Sequence, residues 1–558
     1  MPKAAKKADA AALPVARDLT LIDIRRPPWL DQILLPWRQC AQRILVVADG
    51  LDFNESNGFG LTRFLLALET ASPHGLAPVI HIAHRADSDD VASAAMKAKF
   101  TFHKNFRFVD SGAAHALMNG AARRFDQLWI FGIGSAPIPD AEVRVIAAFM
   151  AAQGGVFATG DHENLGQGMS GRLPRIRKMR EWSGVPIGGP NRIDTVNQPS
   201  PDGEWNFNSQ SDTLPQRIFP HFDSATGSPL AHPLLRLPGS TDPRFGVIDV
   251  LPDHPHESEC YAGSALHQPY DLVSGIDGNE FPALPGSSTR LAPQIVATSV
   301  SGGRIAEKGP VAPRCFGAIS AYDGHRVSLG RIVCDATWHH FVNINLDGTG
   351  AAGRSGLGAF VPPGSNNFVP NAAFGKIAQY YRNIAQWIAP VRWCRWYLDL
   401  VAIRYTFPLY EEVRELPPRP PWPELVALGA RVEAALDLRD GRGSAAGLVG
   451  ELLAAQPAFE ALAGVNGAAS PAPLLPTAEF RLGVLGTLAH TVFAGLPAEP
   501  WALRAQFEKS RDPHAEVDKL FARAVAQALR DGPAHYAQAA RGTLAVLEKL
   551  ARPEKAAR

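Results

Sequence analysis

The chain lacks most of the features that announce a protein class. Its five cysteines in 558 residues (Cys40, Cys260, Cys315, Cys334, Cys394) are scattered, odd in number and never spaced as C-x-x-C. That indicates neither a zinc knuckle nor a disulfide framework and fits a reducing, cytoplasmic setting. Lys plus Arg (55) and Asp plus Glu (54) cancel to a net charge of +1, so no global field draws the protein to nucleic acid or to an anionic membrane. No apolar run approaches the roughly 18 residues that a membrane span needs, and no internal repeat is visible. Met1 to Asp18 is rich in Ala and Lys without an apolar centre. It does not read as a secretory signal, and a disordered tail is expected over residues 1–20. What remains is 46% hydrophobic and 20% charged, as in an ordinary globular protein of roughly two to four domains. Glycine (50) and proline (47) are plentiful, which predicts long ordered loops.

Buried strands are the clearest local signal. Arg43 to Ala48 is an uninterrupted apolar run that ends in Asp49-Gly50, as strands covered on both faces do in parallel sheets. A helix follows, with Leu61, Phe64, Leu65 and Leu68 at helical spacing. Further strands are expected at Pro78 to Ala83, Phe106 to Val109, Gln127 to Phe131 and Val156 to Ala158, with helices at Ala113 to Arg123 and Asp140 to Gln153. Such alternation predicts βαβ units and a parallel sheet. Regularity fails over about residues 164–290. Residues 184–245 form a long Pro/Gly/Asn/Ser-rich segment that reads as a binding loop or lid, with Trp205 and Phe207 in it. Strands return at Gly246 to Leu251, Gln294 to Ser299, Cys315 to Tyr322 and Arg326 to Cys334, and a helix at Ala372 to Ile388 closes the α/β domain (21–415). Residues 416–423 (Leu-Pro-Pro-Arg-Pro-Pro-Trp-Pro) read as a stiff linker. The Ala/Leu-rich remainder, 424–558, reads as a separate all-α domain of about five amphipathic helices.

Four strand ends carry clusters of acids and imidazoles, the residue types of proton transfer and metal ligation. In a parallel sheet such ends share one edge, where ligands bind. Asp161-His162-Glu163 follows the strand at Val156. Asp161 and Glu163 are candidates for general base or nucleophile, against the plainer reading of an exposed capped turn. Asp335 to His340 offers His339 or His340 as the partner imidazole, with Trp338 beside them as a candidate substrate-binding residue, against one core histidine and one exposed. Asp253-His254-Pro255-His256-Glu257 could ligate zinc, iron or manganese through His254, His256 and Glu257, together with His162, or be a surface loop. Asp49, Asp52 and Glu55 could hold a substrate or a hard cation, or simply order the loop before the first helix. The basic run Arg172 to Arg180 could clamp a substrate anion through Arg172 and Arg175, though a solvated face is the commoner meaning.

The first strand, Ile44 to Asp49, the Gly154-Gly155-Val156-Phe157-Ala158-Thr159-Gly160 turn, and Gly330-Arg331-Ile332-Val333 leading to His339 together resemble the class I glutamine amidotransferase-like superfamily, closest to its ThuA-like branch. The resemblance covers about residues 40–390 without the insert. It implies a flavodoxin-like, doubly wound, mostly parallel sheet with a nucleophile position near Asp161 and a late histidine at His339 or His340. The family's nucleophilic cysteine is missing from that turn, which argues against a thiolate glutaminase. Cys334 reads as a buried apolar residue.

Two functions are compatible with these residues. One is a hydrolase acting on a small polar substrate, a carbohydrate or an amide, with an acid/histidine site at the sheet edge, assisted by a divalent metal (zinc, manganese or iron). The other is a non-catalytic binding or scaffold protein that uses residues 424–558 for a protein partner or for self-association.

Overall fold

In a computed structural model of the chain, the described residues are 42–70, 78–109, 116–119, 122–183, 193, 215–221, 231–238, 246–252, 258–263, 266–284, 288–305, 309–350, 356–390, 393–406, 416–440, 444–454, 478–510 and 513–551. The expected tail, Trp205 and Phe207, and His254, His256 and Glu257 lie outside them.

The main sheet has strands β1 (Gln42–Asp49), β2 (Pro78–His84), β3 (Thr101–His103), β4 (Gln127–Gly132), β5 (Gly155–Thr159), β6 (Phe219–Pro220), β7 (Gln294–Ile305), β8 (Gly309–Tyr322) and β9 (Ile332–Asp335). Their spatial order is β3-β2-β1-β4-β5-β9-β8-β7-β6. From β3 to β9 every pairing is parallel; from β9 to β6 every pairing is antiparallel. The apolar runs read from the sequence lie in the parallel half. Every residue of β4 and β5 is buried, as helices on both faces require.

After β1 the chain adds β2 and β3 on one side, then β4 and β5 on the other. The switch point is therefore the gap between the ends of β1 and β4. Helices α1 (Thr62–Glu69), α2 (Ala94–Lys99), α3 (Asp140–Ala151) and α4 (Ala372–Trp387) flank the sheet. Phe341 inserts into an aromatic cluster, with ring centroids 5.1–5.2 Å from Phe64, Phe131, Phe157 and Tyr381. That anchors the turn after β9, which carries His339 and His340, to the core.

Three sequence expectations are corrected. The strand expected at Phe106 to Val109 is displaced to Thr101–His103, and only Val109 has bridge character there. The helix expected over Ala113 to Arg123 is replaced, in its described part, by a short antiparallel pair, Met118–Asn119 with Ala122–Arg123. The pairing leaves two residues between the strands, Gly120 and Ala121, and a glycine in that place is a hairpin signal that outweighed the alanine content. The strand expected from Arg326 is shortened to Ile332–Asp335, because a 3-10 turn (Gly324–Val327) and a left-handed Ser328 (φ 59°) come first. The insert also adds to the sheet, since β6 comes from it.

The C-terminal region is helical: α5 (Trp393–Thr406), α6 (Trp422–Asp440), α7 (Ser444–Ala454), α8 (Ala478–Gly495), α9 (Pro500–Glu508) and α10 (Pro513–Ala551). These share a second hydrophobic core that includes Leu400, Val401, Leu436, Leu448, Leu488 and Phe521. Because α5 belongs to it, this core begins upstream of the proline-rich stretch at which the composition changes. Arg331 joins the two cores. It pairs with Asp323 (2.7 Å) and with Glu451 of α7 (3.0 Å), and donates to the Trp387 carbonyl (3.1 Å). No helix among the described residues is long and apolar enough to cross a membrane.

Helices α6 and α8 meet backbone to backbone. A Cβ added at Gly486 would lie 1.8 Å from the Leu425 carbonyl oxygen, and one at Gly429 would lie 1.8 Å from that of Leu482. Gly486→Ala must therefore push the helices apart. The expected result is a loss of about 1–3 kcal/mol, read as a lower urea midpoint, with the loss confined to the helical region.

Candidate functional site

Two turns build the site, one after β5 and one after β9. The strands are parallel neighbours with Asp335 opposite Thr159, so their loops leave side by side. After β5, the Asp161 amide donates to the Leu165 carbonyl (3.0 Å) and the Leu165 amide to the His162 carbonyl (3.2 Å). Gly166, at φ 89°, closes this turn against Gly160; a Cβ there would lie 2.8 Å from the Gly160 Cα. Asp161 is thereby turned inward and fully buried. Glu163 sits at the tip in a left-handed conformation (φ 53°) and is exposed, so the structure does not bring it into the buried cluster.

After β9, the Thr337 amide donates to Asp335 Oδ1 (3.2 Å) and Thr337 Oγ1 accepts from the His339 amide (3.1 Å). Thr337 thus begins the 3-10 turn Trp338–His340 as its cap. Its hydroxyl donates to Asp161 Oδ1 (2.8 Å) and locks the two turns together.

The other oxygen of Asp161, Oδ2, meets two imidazoles: His162 Nδ1 at 2.9 Å and His339 Nε2 at 3.5 Å. His339 Nδ1 lies 3.4 Å from Asn345 Oδ1. A carboxylate only accepts, so His162 carries its proton on Nδ1 and Nε2 is its basic nitrogen. Of the three side chains Asp161 is fully buried and His339 nearly so, while His162 keeps 12% of its surface. Trp338 stacks on His339 (centroids 4.1 Å, 23°), and the half-exposed Phe59 meets both rings edge to face.

A second carboxylate–imidazole pair lies behind the first. His340 Nδ1 is 2.6 Å from Asp335 Oδ1, and both side chains are fully buried. Tyr380 donates to Asp335 Oδ2 (2.8 Å), Tyr381 donates to the His340 carbonyl (2.5 Å), and Gln216 reaches His340 Nε2 (3.2 Å). Burial pushes both tyrosine hydroxyls well above their ordinary pKa, so they stay protonated as donors. The proposed catalytic role for His340 is corrected: it is a core histidine satisfied on all sides.

Arg180 holds both turns from beneath. Its guanidinium donates to the carbonyls of Asp161 (3.0 Å), Asp335 (3.1 Å), Ala336 (2.7 Å) and Glu181 (2.6 Å). The side chain is fully buried; burial lowers its pKa, and the neighbouring Asp161 and Asp335 charges work the other way.

The other candidates fall elsewhere. Asp52 accepts from Asn54 and Asn57 side chains (3.0 and 2.7 Å) and orders its own loop, while Glu55 is exposed. Arg172 pairs with Asp140 and donates to the Ile138 carbonyl (3.1 Å). Arg175 is buried against Met150, and its amide is held by Glu280 (2.6 Å). Arg172 is thus engaged in an ion pair and Arg175 is buried in the core.

Asp49 is the exception. With Gly50, His84, Arg85, Gly134 and Pro137 it lines a cleft of about 450 Å³ at the switch point. Its Oδ1 accepts from the Ile133 and Gly134 amides (2.6 and 3.0 Å). Desolvation raises its pKa in spite of those bonds. Among the described residues no group of three or more His, Cys, Asp or Glu is arranged to hold a metal ion.

Sequence reading passed over Thr337, Arg180, Asn345 and Phe59. Thr337 had a signal: an Asp two residues before a Thr makes side-chain turns of this kind. The others had none, since Arg180 reads like the other basic residues of its run and Asn345 and Phe59 sit in stretches of sequence without a motif. Compared with protein-family models, with curated proteins and with solved structures, the chain matches none of them.

Arg180→Met should strand four carbonyls whose hydrogen bonds a methionine cannot replace. A stability loss of about 3 kcal/mol is expected in urea unfolding. Asp49→Asn tests the second locus by its pH dependence. The folded pKa of this acid is raised, so its ionisation costs stability above the folded pKa and costs nothing below the unfolded value near 3.8. The variant should be more stable than the wild type at neutral pH, with the difference vanishing as pH falls through that value. A constant difference across the range would mean that the carboxyl is not desolvated.

Proposed function

We propose that the protein is a hydrolase whose reaction centre is Asp161, His162 and His339. The supporting observation is the buried Asp161 carboxylate, which meets two imidazoles within 3.5 Å while only one of them keeps appreciable contact with solvent. Asp161 orients His162 and stabilises the imidazolium that forms. His162 Nε2 takes a proton from water as the oxygen attacks the substrate's electrophilic carbon. The same proton then goes to the leaving group as its bond to that carbon breaks, so water is added across one bond. His339 and Thr337 hold the carboxylate in place. Glu163 and His340 have no part in this step. A divalent metal at this centre would be held by His162 through Nε2 and would polarise the attacking water.

The frame for this centre, in the same reading, is a flavodoxin-like sheet of the class I amidotransferase-like kind that has lost its cysteine. With the short β3 set aside, strands β2-β1-β4-β5-β9 follow the flavodoxin-like chain order 2-1-3-4-5.

The test is a panel of p-nitrophenyl esters, anilides and glycosides, assayed with the full chain. Asp161→Asn and His162→Gln should each lower kcat on the hydrolysed member by about 10²–10⁴-fold, with circular dichroism unchanged. His339→Gln should have a smaller effect. Hydrolysis by Asp161→Asn at the wild-type rate would remove the carboxylate from the reaction and overturn the reading.

A further inference from the structure

Trp338 is stacked on His339, one of the imidazoles of the proposed centre, yet its own polar atom is unused. Its indole Nε1 is buried without a hydrogen-bond partner. Four other buried tryptophans are satisfied: Trp129 donates to Gln127 (3.0 Å), Trp182 to the Ile176 carbonyl (3.0 Å), Trp396 to Glu451 (3.1 Å) and Trp422 to Glu479 (2.9 Å). A buried donor left unpaired is a standing cost, and buried polar groups are paired almost everywhere. Tyr322 Oη and both ring nitrogens of His325 are likewise buried without a partner, but the Trp338 N–H belongs to a ring stacked on the proposed centre, where a partner can arrive with the ligand.

The cover over Trp338 also suggests the shape of that ligand. Phe59, 39% exposed, meets Trp338 at 5.8 Å and 72° and His339 at 5.7 Å and 77°. These are edge-to-face contacts, in which C–H edges meet π faces. The backbone beneath Phe59 is tied down: Asn343 Nδ2 donates to the Asn54 and Asn57 carbonyls (3.1 and 2.9 Å), and the Phe59 amide donates to Asn57 Oδ1 (3.1 Å). The half-exposed Phe59 side chain therefore covers the Trp338–His339 platform from a loop whose backbone is held. A pyranoside offers the same C–H-to-π contact from its ring face and carries acceptor oxygens at its rim. A flat amide offers the acceptor without the C–H face.

We infer that Trp338 is a specificity-determining residue that receives a pyranoside ring in place of the Phe59 side chain and donates its indole N–H to an oxygen of that sugar. This rests on the hydrolase reading for the role of the neighbouring residues, but binding can be measured apart from turnover.

The experiment uses the full chain with ¹⁵N-labelled tryptophan and assigns the Trp338 indole resonance by its loss in Trp338→Phe. Methyl pyranosides of glucose, galactose, mannose and xylose are titrated in, with benzamide as the flat-amide probe. At least one glycoside should move the Trp338 indole proton downfield in a saturable way. Phe59→Ala should tighten that binding, and Trp338→Phe should weaken it, each by about tenfold. The shift should persist in Asp161→Asn, so loss of the hydrolase reading and loss of this one are separate results. Absence of any glycoside-induced shift in both wild type and Phe59→Ala overturns the inference, as does a response to benzamide alone. If Trp338→Phe does not fold, the resonance is identified by its response to Phe59→Ala and the same two titrations decide.

Discussion

The buried guanidinium of Arg180 is the constraint on which the site depends. A guanidinium has five donors, no acceptor and a permanent charge, and burying it is tolerable only where donors are satisfied and charge is balanced. Here the donors go to carbonyls in the turns after β5 and β9 and to that of Glu181, and the charge lies near Asp161 and Asp335. Backbone carbonyls bound by one rigid fork cannot drift apart. The 2.8 Å bond from Thr337 to Asp161 and the 3.5 Å approach of His339 follow from that fixation. Besides the fork, the two turns are joined by the Trp338 amide, which donates to the Gly160 carbonyl (2.8 Å), and by side-chain contacts.

The two carboxylate–imidazole pairs built on this frame contain the same groups and meet different fates. Asp335 and His340 are fully buried, and two tyrosines and a glutamine complete their hydrogen bonding. A pair without water cannot exchange a proton with substrate; it holds the turn against α4. Asp161 and His162 repeat the motif one layer closer to solvent. Adjacent residues, His339 and His340, serve opposite sides because a 3-10 turn of three residues separates consecutive side chains by about 120°. The core pair keeps the turn rigid, and rigidity in the supporting layer is what a preorganised centre needs.

Strand runs were legible because apolar continuity is a strong signal, and β1, β4 and β5 are nearly pure examples. That the acid and histidine clusters lie at strand ends was legible too, since the chain writes Ala48-Asp49, Thr159-Gly160-Asp161 and Cys334-Asp335 at the close of apolar runs. What could not be read was which way each side chain points. Glu163 is two residues from Asp161 and equally acidic, but a left-handed backbone places it at the tip of the turn. Arg180 is one of several basic residues in its run and differs from the others only in what it meets in space. The hairpin at Met118–Arg123 was hidden by alanines that favour helix, although Gly120 carried the opposite message.

The irregular insert takes on a different meaning once these contacts are known. It separates β5 from β9 in sequence, yet the two strands are neighbours, and the segments that leave and re-enter the sheet supply Arg180 and Gln216 to the space between them. It also gives β6 to the antiparallel edge, and Cys260 bridges back to Arg180 and donates to the Cys334 carbonyl (3.4 Å). A lid that only covered a finished site would leave the strand ends intact when removed. This insert instead carries donors that bond to the strand ends and the turns after them, Arg180 and Gln216. Coupling of that kind joins the geometry of Asp161 and His339 to the stability of the whole α/β core, and mutations far along the insert should disturb the centre through Arg180 before they touch any ligand.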